Sequence, residues 1–152
     1  MAQKKQDQEL LTYASRIKVP YTWSVGEVGS RFLMELKENK RIWATKCPGC
    51  EVVFVPPKKV CTYCSAQIHE WVQLKDEGVV QTFTVVRYET PLVPHKAPKI
   101  IGIIMLDGAD TGLVHLIGDC PPDRVKVGMR VKAVFAEERK GHILDITHFK
   151  PI

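Results

Sequence analysis

Long apolar runs are missing from this chain, so a helical membrane span is excluded. The first eight residues, Met1 to Gln8, are polar and hold no apolar stretch, so no secretory signal is expected. Aromatic residues make up only 8% of the chain, leaving few stacking platforms for unpaired bases. No G-x-G-x-x-G, P-loop, G-x-S-x-G or H-E-x-x-H occurs, and the corresponding nucleotide, hydrolase and metalloprotease chemistries have no signature here. The five histidines, at 69, 95, 115, 142 and 148, do not cluster in sequence. His115 falls in an alternating stretch, where a hydrogen-bonded structural role is the expectation. Internal repeats and low-complexity segments are absent as well. A strong charge of one sign is also lacking. The net charge is +5, and residues 1–75 supply all of it, with 12 Lys/Arg against 7 Asp/Glu; residues 76–152 hold 10 of each. The C-terminal half is therefore neutral, which argues against a basic nucleic-acid groove there.

What the chain does have is cysteine in pairs. Cys47-Pro-Gly-Cys50 and Cys61-Thr-Tyr-Cys64 stand ten residues apart. Each pair can present two thiolates from one tight turn, and the two turns supply the four sulfurs of a closed tetrahedral Zn²⁺ site. The loop between them is short, as in zinc ribbons and rubredoxins. Two disulfides are the plain alternative, and iron is the other ion that four thiolates suit. Paired cysteines without an export signal point to a reducing cytoplasm. Such a site has no open position for water or substrate, so its ion would be structural. Cys120 is left over, in a loop between Gly118-Asp119 and Pro121-Pro122, and reads as a plain thiol because no base is paired with it. His69 is surplus to a four-cysteine site and is expected on the surface.

The 152 residues, 45% hydrophobic and 26% charged, suit one globular domain or two small ones. Three segments follow from the pattern: an N-terminal tail and helical hairpin arm over 1–40, a zinc ribbon over 41–75, and a β barrel over 76–152. A short helix is expected over Gln8 to Ile17, ended by Val19-Pro20. Tyr21 and Trp23 follow in a linker and are expected to pack down. Ser24-Val25-Gly26-Glu27 reads as a capping box opening a second helix, with Val28, Phe32, Leu33 and Leu36 as its apolar stripe. The arm could pack within the chain or serve as a docking arm. In the ribbon, strands are expected over Arg41 to Lys46 and Glu70 to Leu74. Further strands are expected over Val79 to Tyr88, Ile100 to Leu106, Leu113 to Ile117, Arg130 to Glu137 and His142 to Phe149, separated by Gly and Pro turns. Five short strands over about seventy residues fit a small Greek-key barrel of OB type. The proline-bearing segment Glu89 to Pro98 is an extended loop.

The motifs add up to a likeness. Arg41-Ile-Trp-Ala-Thr-Lys-Cys-Pro-Gly-Cys50, Phe54-Val-Pro-Pro57 before the second pair, Glu70 to Leu74, Gly78-Val-Val-Gln-Thr-Phe-Thr-Val-Val86, Val127 to Val131 and His148-Phe-Lys-Pro151 together resemble the zinc-ribbon plus OB-fold acyl-CoA-associated proteins, long labelled a domain of unknown function. The resemblance covers residues 30–151. Glu51 departs from it, since glycine is usual after the first knuckle. The resemblance implies one structural Zn²⁺ on Cys47, Cys50, Cys61 and Cys64. It implies a cytoplasmic accessory subunit, without catalytic residues of its own, assembled with a thiolase-superfamily catalytic subunit into a hetero-oligomer such as a heterotetramer. That complex would act on acyl-CoA thioesters, as an acyl-CoA C-acyltransferase does. Lys96 and Lys99 are candidates to meet the phosphates of coenzyme A, with solvated loop lysines as the plain alternative. The rival functions are a single-stranded nucleic-acid-binding OB protein and a rubredoxin-like electron carrier.

Overall fold

The computed structural model of the protein describes residues 21–89 and 96–152. The helix expected over Gln8 to Ile17 and most of the expected Glu89 to Pro98 loop lie outside the described residues. Among the described residues no helix is long and apolar enough to cross a membrane.

Helix α1 (Gly26–Asn39) forms behind its apolar stripe, with Phe32 and Leu36 buried and Val28 and Leu33 half-buried. The expected capping box does not form. Val25 is the N-cap and makes no side-chain cap, and Ser24 Oγ accepts from the Gly26 N–H at 3.1 Å. Gly26 has φ +72, and this left-handed kink takes the serine away from the third turn residue it was expected to reach. Tyr21 and Trp23 do not pack down either; they are 73% and 66% exposed, because the buried stripe begins only at Phe32. The helix ends on Lys40 in the left-handed conformation, and both Lys40 and Arg41 donate backbone N–H groups to the Glu35 carbonyl.

Strands β1 (Ile42–Lys46), β2 (Val53–Phe54) and β3 (Glu70–Leu74) form an antiparallel sheet in the order β2-β1-β3. Thr45 stands opposite Phe54 on one side and Trp71 on the other. The remaining strands are β4 (Glu77–Val86), β5 (Lys99–Leu106), β6 (Leu113–Ile117), β7 (Arg130–Phe135) and β8 (Ile146–Pro151). They close into a barrel in the order β4-β5-β6-β8-β7, with β7 pairing back on β4. The ring closes through one parallel contact, Ile117 with Phe149; its other pairings are antiparallel. A bulge between Val80 and Thr82 shifts the register of β4 on β5, and Glu77 to Val79 pair with β7 on the other edge.

Several strand boundaries differ from expectation: β4 starts and ends two residues earlier, β7 stops at Phe135, and β1 starts at Ile42. The last strand begins at Ile146, because His142 to Asp145 folds into a short 3₁₀ turn instead. Lys99 opens β5 opposite Val86 rather than belonging to the loop before it.

One apolar core runs through all these parts. It joins Phe32 and Leu36 of α1, Ile42, Ala44, Val55 and Leu74 of the ribbon, and Val80, Ile104, Val131 and Phe149 of the barrel. Helix α1 is thus packed within the chain. Arg139 ties it further, with Nε donating to the Lys37 carbonyl at 2.6 Å and Nη1 to the Ala136 carbonyl at 2.9 Å. A second, small cluster of Cys47, Phe54, Cys61 and Ile68 lies under the cysteine turns.

Candidate metal centre

The two cysteine turns are built alike. The Cys47 N–H donates to Val52 O and its carbonyl accepts from Glu51 N–H, both at 2.9 Å. Cys61 repeats this with Ala66 at 2.9 Å and Ser65 at 3.1 Å. Glu51 and Ser65, each next after the second cysteine of its pair, both have φ +60. Glu51 therefore occupies a left-handed position that glycine would take at less cost, which locates the one departure noted above. Each turn also points an N–H at sulfur: Gly49 at Cys47 Sγ and Tyr63 at Cys61 Sγ, both at 3.4 Å. A side chain on Gly49 would come within 3.3 Å of Cys64 Sγ, so glycine there keeps the space between the turns clear.

Cys47, Cys50, Cys61 and Cys64 bring their sulfurs within 4.8 Å of one another. Cys47 and Cys64 are 3.4 Å apart, Cys50 and Cys61 3.5 Å, and Cys50 and Cys64 3.9 Å. A tetrahedron with Zn–S bonds of about 2.3 Å has edges of about 3.8 Å, so the spacing fits one ion. Disulfides would need about 2.05 Å, and the cysteines are free. The thiols influence each other strongly. Burial opposes ionisation of Cys61, yet donation from the Cys64 and Tyr63 N–H groups and from neighbouring sulfurs brings it down to about 6. For Cys50 the Val52 N–H pulls downward, but burial and the other three sulfurs outweigh it and push the thiol up to about 12. Four thiolates so close need a cation among them.

Of the other singled-out residues, His69 is exposed, as expected. His115 is buried and structural: Nδ1 accepts from the Leu116 N–H at 2.9 Å, so Nε2 carries the proton and faces Ile143 O at 3.2 Å. The Cys120 thiol is pushed up, first by burial and then by the Asp119 charge, the opposite of a prepared nucleophile. Lys96 is exposed, whereas Lys99 is only 6% exposed and is already engaged by a neighbour. The structure thus places the two lysines in different environments.

Several polar arrangements were not read from the sequence. Arg130 makes a two-pronged contact with Asp107 at 2.6 and 2.8 Å and also meets Glu77, which Lys132 shares at 3.1 Å. The Asp145 carboxylate collects the backbone N–H groups of Lys140, Gly141 and His142. Arg31 lies over Trp71 at 4.2 Å and near Trp43 at 5.5 Å. The Asp145 turn had a signal, because His142-Ile-Leu-Asp145 has capping-box spacing with histidine in the serine position. The other two join residues far apart in sequence, where spacing carries no information.

A closed barrel of OB type behind a rubredoxin-like ribbon with four convergent sulfurs defines the class: a metal-ribbon protein with an OB domain. Residues 35–70 match the ChsH2 rubredoxin-like zinc ribbon domain and residues 71–136 the ChsH2 C-terminal OB-fold domain. A DUF35 domain-containing scaffold protein of Methanocaldococcus jannaschii is 31% identical over 122 residues, covering 77% of this chain and 86% of its own. One from Pyrococcus furiosus is 28% identical over 127 residues, covering 81% and 92%. Among solved structures, a DUF35-family protein of unknown function from Sulfolobus solfataricus superposes with TM-score 0.64 at 26% identity, over 84% of this chain and 87% of that one. The Ltp2-ChsH2(DUF35) aldolase shares the fold, with TM-score 0.63 at 20% identity over 85% and 98%. The chain belongs to the DUF35 family.

Proposed function

We propose that this protein is a scaffold subunit that grips a thiolase-superfamily catalytic partner acting on acyl-CoA thioesters, in a hetero-oligomer such as a heterotetramer. The observation that carries this reading is its likeness, over most of both chains, to a scaffold protein of the same family. The shared fold with an aldolase assembly supports the choice of partner class. Zinc is the ion proposed for Cys47, Cys50, Cys61 and Cys64, held for shape alone, since four sulfurs fill a tetrahedral sphere.

The outer face of the barrel also favours protein association over nucleic acid. Ile101 pairs with Leu116 and Ile103 with Val114 across β5 and β6, and Val114 is 61% exposed. This face is aliphatic where a single-strand binder would need basic and aromatic side chains. For coenzyme A, exposed Lys96 is the direct candidate, and Lys99 would contribute only if its cover moved.

Co-purification from the native source, with the partner identified by mass, tests the reading. A stable complex with a thiolase-type enzyme and no thioester turnover by the isolated chain are the expected results. Turnover of an acyl-CoA by the purified chain alone would end it, and salt-dependent binding to single strands would favour the nucleic-acid alternative.

A further inference from the structure

Arg31 is an arginine held in place by two aromatic rings, with no acidic partner among the described residues. It projects from α1 onto the Trp71 ring at 4.2 Å, with Trp43 5.5 Å away on the neighbouring strand. Stacking uses the guanidinium face and leaves its in-plane N–H donors free. Among the described residues none of those donors is hydrogen-bonded or ion-paired, although Glu27 stands one helical turn earlier, the spacing at which such pairs form. Arg31 opens into a pocket of about 230 Å³ between α1 and the second cysteine turn. Lys59, His69, Ile68, Trp71 and Glu27 share its lining. Lys59 and His69 have no acidic partner among the described residues either. The wall carrying them is rigid, since the Ile68 N–H donates to Lys59 O at 2.9 Å and Ile68 is buried.

We infer that this pocket is a carboxylate-binding site in which Arg31 provides the fork. The volume admits a small acid or one acidic side chain and is too small for a nucleotide. Charge sets the preference among oxyanions. Arg31 and Lys59 against Glu27 leave one net positive charge, and a single carboxylate balances it. A dianionic phosphate would overshoot and meet Glu27. Trp71 and Trp43 fix the guanidinium before the ligand arrives, so little side-chain entropy is lost on binding. The site stands independently of the scaffold reading and of coenzyme A.

The test uses the full-length, zinc-loaded chain and follows the Arg31 Nε–H resonance and tryptophan emission. Acetate and a blocked peptide with a single glutamate are titrated, with chloride and phosphate as controls at matched ionic strength. Saturable shifts with a carboxylate are expected. Binding should weaken about tenfold or more in Arg31→Lys, which keeps the charge and loses the fork. It should weaken in Lys59→Gln and tighten about twofold to fivefold in Glu27→Gln, a change outside the core. Equal affinity for acetate and peptide marks a free acid as the ligand, and preference for the peptide marks an acidic side chain; both support the site. No saturable response, a response equal to chloride, tighter binding of phosphate, or unchanged binding in all three variants would overturn it.

Discussion

Cys61 shows how much of this protein rests on single atoms. Its sulfur is one corner of the four-sulfur cluster, and its backbone closes the second cysteine turn. A serine hydroxyl in its place is a poor ligand and leaves the other three sulfurs crowded without a full set of bonds. Binding of a structural zinc is worth about 10–16 kcal/mol in zinc-finger peptides, comparable with the whole stability of a domain. Cys61→Ser is therefore expected to lose the ion and unfold or aggregate the ribbon. Metal content per chain by mass spectrometry and near-ultraviolet circular dichroism read this directly. A variant that kept one metal ion, or kept the native spectrum without it, would show that the ion is not needed for the fold. At this scale the convergence of the four cysteines was legible in advance because both cysteines of a pair lie in one turn. Arg31 was not legible, because a stacked arginine and a solvated one look the same in sequence.

At the scale of elements, the attachment of α1 and the Asp145 turn can each be tested alone. Leu36 is fully buried between helix, ribbon and barrel. Truncation to alanine should cost about 2–5 kcal/mol, seen in the urea midpoint, and should raise amide exchange in α1 and in the 142–145 turn it touches. Exchange confined to α1 would mean that the helix is an appendage. Asp145 is 4% exposed, and although burial alone would raise its pKa, the three backbone N–H donors hold it below the ordinary carboxylate value. A lowered folded-state value means that the ionised form stabilises the fold above the unfolded value, near pH 4. That stability is lost as pH falls from there through the folded value. Asp107, lowered chiefly by its hydrogen bonds to Arg130, adds to the same acid limb. Asp145→Asn should cost about 1–3 kcal/mol at neutral pH and flatten, without abolishing, the acid-induced loss of stability. An unchanged acid limb in denaturant titrations from pH 6 to pH 2 would contradict the assignment.

For the whole molecule, the continuous core predicts cooperation between ribbon and barrel. Six residues of α1 and the ribbon share that core with the barrel strands. The zinc-loaded chain should melt in one calorimetric transition, and chelation should lower the stability of the barrel along with the ribbon. Two separate transitions, with the barrel unmoved by chelator, would show that the parts fold independently. From the sequence alone came the convergence of the four cysteines, the mainly β class, the strands β3 and β6 and the OB reading. Those features are written in local spacing: a turn sets the cysteine pairs, and alternation sets the strands. Tertiary structure alone decided that α1 starts at Gly26 with Val25 rather than Ser24 as its cap, that Lys99 is buried, that Tyr21 and Trp23 are exposed, and that Arg31 lies on Trp71. The burial of Lys99, the exposure of Tyr21 and Trp23 and the seat of Arg31 depend on which distant residue arrives alongside, and the order of residues along a chain does not state what folds back against it.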